Sequence, residues 1–294
     1  MTIVVGYLAG KSGTAPLHLA LMMARSLDTP LTVATVVPKS WTTPSPAKID
    51  AEYAAWASRL AADSATEAQQ FLSRMAEDGG EVSYRSHANR SASGGLLEAI
   101  ADSEADLLIL GSSSNGQLGQ VVVGSTADRL LHSSPVPVAI APRGYRGARS
   151  AKLTRLTCAY PGTAEAVDTV ARAAELAARM KVPLRVITFA VRGRTMYPPE
   201  VGLHAEDSIL AAWEEHARDM LGRLRTTGVI GDDVETLVVN GIGWDHALDA
   251  TDWQDGEMLA VGTSPRSDIA RVFLGSRGTK IMRHSPVPVL VFPG

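Results

Sequence analysis

Two glycine-serine pairs stand where a helix is expected to open after a buried strand: Gly124-Ser125, and Gly275-Ser276 151 residues later. A helix N-terminus presents unpaired N–H groups and the positive end of the macrodipole, so phosphate is welcome there without any basic side chain. The glycine lets a ligand approach the backbone, and the serine offers an N-cap and a hydroxyl donor. Thirteen positions upstream of each pair, Gly111 and Gly262 end an apolar run. Gly-Ser at this place is equally an ordinary helix cap, so the pairs alone leave capping and ligand binding both open.

Other constellations are weaker. Gly6-Tyr7-Leu8-Ala9-Gly10-Lys11-Ser12 imitates a P-loop but has three residues between its glycines where the motif needs four, which changes the cradle of successive N–H groups. Gly111-Ser112-Ser113-Ser114-Asn115 lacks the last glycine of a nucleophile elbow. The histidines show no metal-ligand spacing, and His132 and His284 fall in the last turns of expected helices, where their charge suits the dipole. Trp56 and Trp213 fall at apolar positions of the long helices, which predicts packing, whereas Trp41 sits in a Thr/Pro/Ser-rich loop.

The elements that position these residues come twice. Residues 105–138 align without a gap on 256–289, and Pro30-Leu31 matches Pro183-Leu184 at an offset of 153. A repeat of this period marks a duplicated folding unit. In the first half, apolar runs at 2–8, 31–37, 81–86, 106–110 and 136–141 predict strands, separated by helical stretches at 17–27, 49–75, 96–103 and 125–133. The second half repeats the order, with strands near 153–160, 184–190, 234–239, 256–261 and 287–292. Strictly alternating strands and helices imply a parallel sheet covered on both faces, with ligands collecting beyond the carboxyl ends of the strands. The expected organisation is a domain over 1–144, a linker over 145–152 and a domain over 153–294.

Bulk properties narrow the function classes. A chain of 294 residues has room for two real cores. Its net charge of −3 argues against nucleic acid as a partner, and Arg143, Arg146, Arg149 and Lys152 are expected to be a solvated linker. No apolar run approaches a membrane span, no N-terminal signal segment is visible, and one cysteine, Cys158, sits in an apolar run as a core thiol would. These features point to a cytoplasmic protein without membrane partners.

Strand, Gly111, a thirteen-residue step to Gly124-Ser125, then Ser-Pro-Val-Pro-Val, resembles the universal stress protein domain, whose ATP-binding members carry G-x-x-G-x9-G-[ST]. The resemblance covers both halves and implies two tandem flavodoxin-like (Rossmann-like) α/β domains, each a five-stranded parallel sheet with helices on both faces. It implies ATP as the cofactor, held by Gly111, Gly124 and Ser125 and by Gly262, Gly275 and Ser276. The middle glycine is replaced by Ser114 and by Pro265, and a proline supplies no N–H, which makes the second loop the poorer copy. The family's acidic residue after strand one, which contacts adenosine, is replaced by Leu8 and Pro161. One lost charge-assisted hydrogen bond costs about 1.5–3 kcal/mol, roughly tenfold to a hundredfold in affinity. The expected function is therefore a non-catalytic regulatory or binding protein of the stress response with degenerate nucleotide sites. The alternatives are an ATP-binding module of weak or altered affinity and, last, a P-loop-like NTPase. Relatives dimerise, so the two halves are expected to form an internal pseudo-dimer, with a homodimer of the whole chain and an unknown protein partner left open.

Overall fold

Strands such as Ile3-Val4-Val5 have no polar face, so they are stable only when covered on both sides, and that demand organises each half of the chain. The computed structural model describes residues 1–39, 47–75, 80–192, 203–265, 272–273 and 276–294; the loop with Trp41 and the candidate Gly275 lie outside them. The described residues form two compact units, Met1–Lys152 and Leu153–Phe292.

The first unit runs β1 (Ile3–Gly6), α1 (Ala15–Leu27), β2 (Leu31–Pro38), α2 (Ala47–Met75), β3 (Val82–Asn89), α3 (Ala92–Asp102), β4 (Leu107–Gly111), α4 (Ser125–Ser133) and β5 (Val138–Ala141). Its strands are parallel in the order β3-β2-β1-β4-β5, with Ile3 opposite both Leu31 and Leu107. Ile3, Val4, Val5, Leu108 and Ile109 are wholly buried, and Leu17, Leu19 and Met23 of α1 close over them.

The second unit repeats this with β6 (Arg155–Ala159), α5 (Ala166–Met180), β7 (Leu184–Arg192), α6 (Leu203–Thr226), β8 (Glu235–Ile242), α7 (Trp244–Asp249) and β9 (Glu257–Gly262). It finishes with β10 (Ser264–Pro265), β11 (Val272–Phe273), α8 (Ser276–His284) and β12 (Val289–Phe292). Its parallel strands lie in the order β8-β7-β6-β9-β12. The short antiparallel pair β10/β11, with Ser264 opposite Phe273, is an addition the sequence pattern did not announce, because two residues carry no period.

In both units the strand order reverses beside the first strand, between β1 and β4 and between β6 and β9. That reversal leaves a crevice at the carboxyl ends, where ligands of doubly wound sheets bind. The opposite ends of β6, β7 and β9 hold a buried ion cluster. Glu257 accepts from Arg155 and Arg185, each at 2.7 Å, and also from the Thr157 hydroxyl.

Candidate functional site

In the first unit the chain's own hydrogen bonds tie down the crevice. The loop after β1 spends its donors internally: Leu8 N–H binds Ser12 Oγ at 3.0 Å, Ala9 N–H binds Ser64 Oγ at 3.1 Å, and the Lys11 and Ser12 amides point at the Leu8 carbonyl. The Leu8, Ala9, Lys11 and Ser12 amides are thereby withdrawn from any phosphate cradle of the P-loop kind. Across the same opening, Tyr7 Oη donates to Glu67 Oε1 at 2.6 Å, tying β1 to α2. Burial, and then the Glu67 carboxylate, push the Tyr7 phenol well above its ordinary range.

The candidate glycines of this unit answer to different demands. A Cβ on Gly111 would lie 3.2 Å from Pro16 Cδ, so this position is small because α1 passes close to the end of β4. Gly124 meets nothing nearer than 3.5 Å and has an extended φ of −83°, so the fold itself makes no call for glycine there. The expectation that Ser125 is an N-cap is corrected: Gly124 is the N-cap and Ser125 is the first helical residue, with its side chain exposed and capping nothing. The first turn of α4 also contains Asp128, whose charge already complements the dipole and would oppose a phosphate. Ser112, in the loop after β4, donates to the Ala141 carbonyl at 2.8 Å, so it is structural and no nucleophile.

In the second unit the crevice is open. A cavity of about 610 Å³ lies at the carboxyl ends of β6, β7 and β9, within the range of small-molecule sites. Tyr160, Phe189, Trp213, Met220 and Trp244 line it, with Gly262 at its floor. At the offset of 153, Tyr160 corresponds to Tyr7, Met220 to Glu67, Ala217 to Ser64 and Glu165 to Ser12. Each polar group that tied down the first unit's loop is thus exchanged: the Glu67 carboxylate for a thioether, the Ser64 hydroxyl for a methyl, and the Ser12 hydroxyl for a longer carboxylate. Ala217, Met220 and Glu165 all line the cavity.

Tyr160, Phe189, Trp213 and Trp244 give its walls four large aromatic side chains. Phe189 and Trp244 meet edge to face, with centroids 6.1 Å apart at 61°. Trp213, expected in packing, is 51% exposed at the cavity edge, and Trp56 of the first unit is 44% exposed. Both are corrections, and the reason is that the buried face of α2 runs through Ala57, Ser64, Ala68 and Leu72 instead. The Thr188 hydroxyl is committed to the Tyr160 carbonyl at 2.9 Å, and that of Thr263 to the Phe292 carbonyl at 3.2 Å. Among the described residues lining the cavity there is no lysine or arginine.

Gly262 has a packing reason like that of Gly111. A Cβ there would come within 2.1 Å of the Thr169 hydroxyl, and Thr169 is the residue that corresponds to Pro16. Ser276 opens α8, as Ser125 opens α4, while Pro265 pairs with Val272 in β10/β11. Cys158 is fully buried, and burial pushes its thiol up to about 12, which suits a core residue. His132 Nδ1 lies 2.5 Å from the Asp128 carbonyl, and His284 pairs with Asp245. Among the described residues no cluster of three or more His, Cys, Asp or Glu is placed to hold a metal, and no helix is long and apolar enough to cross a membrane. Sequence reasoning missed Phe189, Met220 and Trp244; the Glu67/Met220 exchange between the repeats was the signal that could have found them.

Two doubly wound parallel units, each with its crevice where strand order reverses, define a tandem α/β protein. The sequence profile of the Universal stress protein family matches residues 1–142 and 152–293. Universal stress proteins of Mycobacterium tuberculosis (strain H37Rv) and Mycobacterium bovis are each 61% identical over 294 residues, covering 100% of both chains. A universal stress protein from Archaeoglobus fulgidus has the same fold, with a TM-score of 0.59 at 16% identity over 99% of this chain and 98% of that one. A functionally unknown protein from Pseudomonas aeruginosa aligns with a TM-score of 0.58 at 16% identity, over 99% of this chain and 92% of that one. The chain belongs to the universal stress protein family, with two of its domains in tandem.

Proposed function

We propose that the protein serves the stress response as a non-catalytic regulatory binding protein, in which both nucleotide sites are degenerate and ligand recognition has passed to the second unit. One observation carries this reading: the crevice tied across by Tyr7–Glu67 and the Ser12 and Ser64 contacts in the first unit has lost those ties in the second, where a cavity lies. The Leu8 and Pro161 side chains supply no acceptor for an adenosine, and the described cavity lining holds no lysine or arginine to neutralise the charge developed in phosphoryl transfer.

A second reading, a weak ATP-type contact at Gly124 and Ser125, is favoured by the exposed Ser125 side chain and by a Gly124 that the fold does not require. The same test addresses both readings. Denatured protein is analysed by mass spectrometry for released adenine nucleotide, and ATP is titrated calorimetrically with turnover followed in parallel. Expected are no stoichiometric nucleotide, weak binding and no turnover, with Leu8→Asp or Pro161→Asp strengthening ATP binding by about tenfold or more. Tight ATP binding with turnover in the unaltered chain would replace the proposal.

A further inference from the structure

We infer that the second-unit cavity binds an uncharged, planar aromatic small molecule that carries a hydrogen-bond acceptor, and that it discriminates against nucleotides. The inference rests on the proposed role of the second unit as the binding half and specifies its ligand.

Size, walls and charge point the same way. About 610 Å³ accommodates a drug-sized ligand. Four aromatic side chains, Tyr160, Phe189, Trp213 and Trp244, surround that space together with the Met220 thioether, and flat rings gain from stacking, edge contacts and sulfur contacts. Trp213 leaves half its surface to solvent at the edge, an arrangement that a covering ligand would relieve. No lysine or arginine is among the described lining residues; the exposed Glu165 carboxylate is, and it repels an anionic ligand, while the His216 imidazole in the lining and the Arg223 charge that acts on Tyr160 are the groups of opposite tendency.

Polar recognition comes from Tyr160. The Thr188 and Thr263 hydroxyls are already spent on backbone carbonyls. The Tyr160 hydroxyl meets no partner among the described residues, although the residue is 2% exposed and lines the cavity; its counterpart Tyr7 is satisfied by Glu67. That hydroxyl is open to the cavity, where a ligand's acceptor can take the place of solvent.

Nile red, which is neutral and flat and bears a ring carbonyl, is the probe. Titrated into the full chain, it is expected to bind saturably at one dye per chain, with blue-shifted emission and energy transfer from tryptophan. The double variant Ala217→Ser/Met220→Glu, which rebuilds the first unit's contacts, should weaken the dye by about tenfold or more, and Tyr160→Phe by several-fold. Trp213→Ala changes an exposed residue, so it tests the site even where the double variant fails to fold, and it too should weaken binding. Millimolar ATP should leave the dye in place. Unsaturable binding, binding unchanged in Trp213→Ala and Tyr160→Phe, or displacement by micromolar ATP overturns the inference. Weak ATP binding without dye binding removes only the ligand class, whereas tight ATP binding with turnover removes the proposed function as well.

Discussion

Tyr7 donates a 2.6 Å hydrogen bond to Glu67, whereas Tyr160, 153 positions later, shares its surroundings with Met220. Two copies of one fold thus place the same phenol at the end of the first strand and give it opposite tasks. In the first unit it bolts the crevice shut. In the second it is left facing a cavity.

That bolt has a measurable strength. Glu67→Met leaves the half-buried Tyr7 hydroxyl without its acceptor and should cost about 1–3 kcal/mol in urea unfolding, while Tyr7→Phe/Glu67→Met should recover part of the loss. The folded-state pKa of Tyr7 lies above the ordinary 10.0, so its stabilising effect is complete below that value and is lost as pH rises beyond it. Thermal unfolding followed from neutral pH into the alkaline range should show the decline, and Tyr7→Phe should flatten it.

His18 gives the opposite slope at the acid side. Its ring packs edge-on against Phe71 at 4.8 Å, its Nδ1 is buried without a hydrogen-bond partner among the described residues, and burial followed by the Arg146 charge lowers its pKa from 6.5. The native state therefore binds fewer protons than the unfolded chain, so this stabilisation is complete above 6.5 and declines as pH falls through the window below it. His18→Phe should remove that part of the acid slope in melting temperatures taken between pH 7 and 5, values chosen to bracket the ordinary histidine range.

Much of this was legible before any coordinates. The run at 106–110 became Leu107–Gly111 and the stretch at 125–133 became Ser125–Ser133, because unbroken apolar runs between Gly-rich turns leave a parallel sheet little freedom of register. The tryptophans were misread for a physical reason. α2 buries Ala57, Ser64 and Ala68, and small residues that permit close helix-sheet approach carry little hydrophobic signal, so the period followed the larger exposed rings. The cavity was hidden differently. It depends on a carboxylate present at Glu67 and absent at Met220, a pairwise fact that no single window contains.

The buried ion cluster should be the most fragile polar feature. Glu257 is 1% exposed and accepts from Arg155, Arg185, Thr157 and the Gln254 amide, while Arg185 also stacks on Trp253 at 5.5 Å. Glu257→Gln leaves two guanidinium groups without their counter-charge and should destabilise the second unit by about 3–5 kcal/mol, as removal of one partner from a buried pair does. Arg172→Met, which loses a cation–ring contact with Phe292 on a more exposed side chain, should cost under about 1 kcal/mol. Chemical unfolding monitored by tryptophan fluorescence would separate the two; equal costs would show that the cluster is not a single electrostatic unit.

The candidate glycines should divide by what surrounds them. In Gly262→Ala the new Cβ meets the Thr169 hydroxyl at 2.1 Å and its carbons at 3.1 Å, so α5 must shift from β9 at a cost of about 1–3 kcal/mol. Gly111→Ala presses on Pro16 at 3.2 Å and should cost less. Gly124→Ala meets only ordinary contact at 3.5 Å and should change stability by no more than about 0.5 kcal/mol. Pairing Gly262→Ala with Thr169→Ala should restore most of the loss, because the clash is between those two side chains. Thermal unfolding of the four variants reads out this order. Gly124→Ala then isolates the ligand: an ATP titration weakened by this one substitution, with stability intact, locates an anion contact at α4, and an unchanged titration assigns Gly124-Ser125 to helix initiation alone.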